Sequence, residues 1–96
     1  MNNKSPIDVP EAFFKFARWL NAETLSLGPR GMIEEAASGT LTSAERDICR
    51  AFVDTVLQRV TDDQKLLDFM KTSGAKLFIK RPAGARYLLK LIRDTL

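Results

Sequence analysis

The sequence predicts an all-α fold, a single compact bundle of four to five short helices. Three observations carry that prediction. No run of useful length alternates apolar and polar residues, so no strand is expected. Thr42-Ser43-Ala44-Glu45 and Thr61-Asp62-Asp63-Gln64 both read as capping boxes that open helices. Several stretches repeat apolar residues at helical spacing. With 96 residues, 45% hydrophobic and 28% charged, the chain can bury a core as one domain.

The elements follow in order. Residues 1–7 are polar and read as a loose tail, leaving 8–96 as the helical domain. Asp8-Val9-Pro10-Glu11 is a helix start, with Asp8 as cap and Pro10 in the first turn. That first helix is expected to run to about Thr24, before Leu27-Gly28-Pro29. On a wheel, Ala12, Phe13, Phe14, Phe16, Ala17, Trp19 and Leu20 cover roughly 220°, well beyond the ~100° stripe of an ordinary surface helix. Glu11, Lys15 and Arg18 mark its polar side. Such a helix is either the central one of the bundle or is covered by a partner. Trp19 lies at the edge of the arc, so it is expected to be partly exposed and available as an interface anchor.

A second, short helix is expected from Pro29 to Ala37, with Ser38-Gly39 ending it. The third opens at the Thr42 box and runs to about Val60. Its apolar half comprises Ile48, Cys49, Phe52, Val53, Val56, Leu57 and Val60, with Phe52 central and Arg50, Asp54 and Gln58 facing away. The fourth opens at the Thr61 box and stops at Ser73-Gly74, where glycine suits a left-handed C-terminal position. Ala75 to Lys80 fits either a helical turn or a short extended piece. Pro82 starts the last helix, which continues to about Thr95 and buries Ala85, Leu88, Leu89, Ile92 and Leu96.

Charge is uneven along this frame. The first sixty residues hold seven cations and eight acids. Between Phe69 and Arg93 there are seven cations and no acid: Lys71, Lys76, Lys80, Arg81, Arg86, Lys90 and Arg93. The net charge of +3 is thus a balanced body plus a basic C-terminal third, which favours an anionic partner. Arg86, Lys90 and Arg93 fall within about 60° on one edge of the last helix. They are read as exposed, away from its buried side, and so of little weight in folding.

The chemistry of common enzymes is missing. There is no histidine, hence no imidazole base or ligand, and the single Cys49 lies among apolar residues. The adjacent acids Glu34-Glu35 and Asp62-Asp63 do not face each other on a helix. No catalytic residue, metal ligand or cofactor site is expected. Ala83-Gly84-Ala85, between Arg81 and Arg86, offers a weak anion site if its amides are free, but glycine there suits close helix packing equally. No signal peptide or spanning segment is visible, and one cysteine fits a reducing, cytoplasmic setting.

This general profile is similar to that of small stoichiometric regulators such as immunity proteins, anti-defence inhibitors and small transcription factors, and no motif selects among them. The expected function is non-enzymatic binding to a protein with an acidic surface. The expected contact residues are Trp19, Lys76, Lys80, Arg81, Arg86, Lys90 and Arg93. The alternative is a DNA or RNA regulator that touches phosphates through the same cations. The broad apolar arc of the first helix also leaves room for a homodimer.

Overall fold

The computed structural model describes residues 9–21, 26–75, 77 and 79–96. The expected tail, the Asp8 cap and Lys76 lie outside them. Among the described residues five helices follow one another: α1 (Glu11–Ala17), α2 (Gly28–Thr40), α3 (Ser43–Arg59), α4 (Asp63–Thr72) and α5 (Pro82–Thr95). The fold is all-α, and among the described residues there is no strand beyond a single bridge position at Asn21. The body measures 38 × 31 × 21 Å.

The capping residues account for most boundaries. Thr42 accepts the Glu45 amide at 3.1 Å while Glu45 accepts the Thr42 amide at 3.1 Å, so the box predicted for α3 is formed in full. The second box is not. Asp62, one residue later than expected, caps α4 by accepting the Gln64 amide at 2.9 Å, and Thr61 is left exposed. A carboxylate is the stronger acceptor and also favours the positive end of the helix dipole. At the other end of α4, Gly74 has φ +98°, the left-handed conformation that a side chain would resist. Residue 75 and the described residues of 77–80 are not helical.

Two helix lengths differ from expectation. α2 continues through Ser38-Gly39 to Thr40, because the Thr40 hydroxyl donates to the Ala36 carbonyl at 2.6 Å and the Leu41 amide to Ala37 at 2.8 Å. These bonds satisfy carbonyls that glycine alone would have left open. α1 stops seven residues short of Thr24, at Ala17. The Trp19 amide bonds to Phe16 and the Leu20 amide to Ala17, each at 3.0 Å, so the helix tightens to three-residue spacing and ends.

α5 is the hub. It packs against α2, α3 and α4, whereas α1 packs against α2 and α3. The central helix of the bundle is therefore α5, not α1. The apolar surface of α1 is hidden by its neighbours, with Phe13, Phe16, Ala17 and Leu20 fully buried. Phe13 is the centre of an aromatic cluster, with ring centroids 5.2 Å from Phe52, 5.5 Å from Phe69 and 6.0 Å from Phe16.

α3 runs antiparallel to α5. Arg86 reaches the carbonyls of Leu57 and Val60, Arg93 reaches Asp54, and Arg50 reaches the Leu96 carbonyl. This contact turns the buried sector of α3 toward Cys49, Val53, Val56 and Leu57. Phe52 is consequently half-buried at its edge rather than central, and Ile48 is 49% exposed. Asp54, expected to face away, instead meets α5.

Candidate partner-binding surface

The end of α1 builds the most distinctive surface feature. The tightened turn drives Leu20 into the core and throws its neighbour Trp19 outward, 60% exposed. Arg18, between α1 and Trp19, lays its stem along the α4 terminus. A Cβ placed on Gly74 would stand 3.4 Å from Arg18 Cγ. Lys15, one turn earlier, points to α3 and pairs with Glu45 at 2.8 Å. Lys15, Arg18 and Trp19, together with Thr40 from the end of α2, line a groove of about 230 Å³.

The electrostatics of this groove are asymmetric. Lys15 is held by an internal acid, whereas the Arg18 guanidinium has no hydrogen-bond or ion-pair partner among the described residues. The hydrogen bond from Lys15, with the Thr42 amide adding to it, holds the Glu45 carboxyl below the usual carboxylate range. The groove thus offers one open guanidinium, one occupied ammonium and an exposed indole.

The basic C-terminal residues fall into two groups. Arg86 and Arg93 are structural. Arg86 pairs with Asp63 and donates to the Val60 carbonyl at 2.8 Å, with its side chain only 22% exposed. Arg93 bridges Asp54 at 3.4 Å and Asp94 at 3.1 Å. Both lie on the rim of α5 that packs on α3, which corrects their placement away from the buried side. The side chains of Lys80, Arg81 and Lys90 are exposed and have no partner among the described residues, and Tyr87, one turn before Lys90 on α5, is 63% exposed. None of these three cations lines the Trp19 groove.

Two further candidates resolve into packing. The Gly84 amide donates to the Arg81 carbonyl at 2.9 Å, so it does not face an anion. A Cβ at Gly84 would stand 3.1 Å from Ile79 Cγ2, and this close approach accounts for the glycine. Cys49 is buried, and loss of solvation pushes its thiol up to about 11, with the charge of Glu45 adding to the shift. A smaller recess of about 80 Å³ between α4 and the following segment is lined mainly by Leu67, Met70, Leu77 and Ile79. Among the described residues no cluster of three or more potential metal ligands occurs, and no helix is long and apolar enough to cross a membrane.

The sequence reading singled out Trp19 but missed Lys15, Arg18 and Thr40 as its companions. The adjacency of Arg18 and Trp19 was visible. The approach of Thr40 and Glu45 was not, because it depends on how α2 and α3 pack around α1. Comparison with protein families, with curated proteins and with solved structures finds no match to this chain.

Proposed function

We propose that the protein acts without catalysing a reaction, by stoichiometric binding to another protein, and that the Trp19 groove is the contact. The observation that carries this reading is an indole 60% exposed beside an unpaired Arg18. An exposed tryptophan gains much of its apolar area only when a partner covers it, and tryptophan and arginine are favoured interface anchors. The surrounding cations select a partner with an acidic surface. Lys80, Arg81 and Lys90 supply a further positive region that speeds encounter with the same partner. Binding of this kind suits a small inhibitor or regulator.

Affinity capture from source cells tests the reading, with Trp19→Ala and Arg18→Glu as matched baits. A partner retained by the wild type, lost with both variants and insensitive to nuclease supports it. Equal capture by all three baits rules it out.

A second reading is favoured by Tyr87, exposed on α5 next to Lys90. An aromatic interleaved with unpaired cations suits a nucleic-acid backbone, with a base stacked on the ring. Its mark would be affinity falling linearly with log salt, with a slope of roughly −0.7 per phosphate on single strands.

A further inference from the structure

We infer that the Trp19 groove takes a carboxylate from an acidic protein segment, and that Glu45 holds that carboxylate's place on Lys15 in the free protein. The inference rests on the reading of Trp19 as the binding surface and specifies what binds there. Lys15 and Arg18 line the same groove but are not equivalent. Lys15 Nζ lies 2.8 Å from Glu45 Oε2, in a pair whose side chains are 40% and 26% exposed. The Arg18 guanidinium pairs with no acid among the described residues.

Glu45 serves two elements at once. One oxygen accepts the Thr42 amide and closes the α3 cap, while the other holds Lys15. The capping carboxylate therefore also quenches half of the groove's positive charge. An incoming acid meets Arg18 open. At Lys15 it can only exchange with Glu45, one ammonium–carboxylate contact for another, and gains little. The groove, about 230 Å³, is below the ~300–1,000 Å³ of small-molecule sites and suits one or two side chains of a peptide. A carboxylate on Arg18 with an apolar neighbour on the Trp19 ring fills that description. A nucleic-acid backbone fits less well, because Glu45 would face its phosphates and only one cation of the groove is unpaired.

The test uses the only tryptophan as its reporter. Trp19 emission is titrated with a short blocked peptide of alternating Glu and Leu, and with its Gln-for-Glu counterpart. Glu45→Gln frees Lys15 while glutamine keeps the capping box. This variant is expected to bind the acidic peptide about threefold more tightly, the scale of one exposed ion pair. In a Lys15→Met background the same change should give no gain. Arg18→Gln, which leaves the α3 cap untouched, should weaken binding severalfold. Thermal melts establish that each variant is folded.

A response equal for both peptides, no saturable response at millimolar peptide, or unchanged affinity in Arg18→Gln overturns the carboxylate assignment. So does displacement of the acidic peptide by a lower concentration of single-stranded oligonucleotide. Unchanged affinity in a folded Glu45→Gln protein overturns the place-holding role. If native-partner capture still depends on Trp19 in that case, this inference fails and the binding reading stands.

Discussion

Phe52 lies at the edge of the aromatic cluster, and its energetics follow from that position. Its ring is 5.2 Å from Phe13 and 5.9 Å from Phe69, yet it is only half-buried. Phe52→Ala should cost about 2–3 kcal/mol, below the ~3–5 kcal/mol of a fully buried phenylalanine such as Phe16. Urea melts of both variants check the order, and equal losses would place Phe52 back in the centre. The shift from centre to edge was not legible on a wheel. Seven apolar positions spanned half of α3, and only the approach of α5 decided which part of that half was covered. Cys49 gives a second residue-scale expectation. Its folded pKa, about 11, is raised above the ordinary thiol value near ~8.5. The neutral buried thiol therefore adds stability that is fully present below about pH 8.5 and is lost as pH rises through about 11. Thiol reagents should modify Cys49 at neutral pH only at the rate of unfolding. Rapid labelling of the native protein would show the site to be open.

Helix boundaries were the most legible part of this fold where side chains act locally. The Thr42 box, the Gly74 stop and the Pro82 start depend on residues within one turn, and all three stand where the sequence placed them. α1 is shorter than its apolar run, which continues past the point where the chain turns: Leu20 is buried by tertiary packing, not as a helical residue. At the start of α4 the cap is Asp62 instead of the expected Thr61. Thr42→Ala and Asp62→Ala should each cost on the order of 1 kcal/mol, whereas Thr61→Ala should be nearly neutral. Thermal melts of the three single variants decide this. A loss at Thr61 equal to that at Asp62 would restore the predicted box. The candidate site was half legible for the same reason. Trp19 and its exposure were readable from composition and spacing, but its groove joins the end of α1 to the end of α2, which only the tertiary fold brings together.

Across the whole molecule, the basic third is divided between holding the bundle together and facing solvent. Arg86 joins the end of α3, the start of α4 and α5 through one guanidinium. Arg86→Gln removes charged hydrogen bonds and leaves Asp63 and the Val60 carbonyl to water. It should cost roughly 1–2 kcal/mol, a fall in Tm of about 5–10 °C. Lys90→Gln and Arg81→Gln should stay within about ±0.5 kcal/mol. This reverses the sequence expectation that the α5 cations matter little for folding. The count of cations was readable, but their assignment was not, because Asp54 and Asp63 lie 39 and 23 residues away along the chain. A differential scan in which all three variants melt together would return Arg86 to the solvent-facing group.

The hub position of α5 also sets an order in time. α1 to α4 precede it along the chain, yet three of them find their main cover on α5. While a ribosome is still delivering residues before Pro82, α2, α3 and α4 have no α5 to pack on, and the α3–α4 corner lacks its Arg86 clasp. The protein therefore cannot assemble stepwise as it emerges. It must condense in one cooperative event after α5 clears the exit tunnel, and until then its apolar faces are open to chaperones and proteases. A chain halted before Pro82 should show weak helical circular dichroism and rapid proteolysis, and adding α5 as a separate peptide should restore both helicity and resistance.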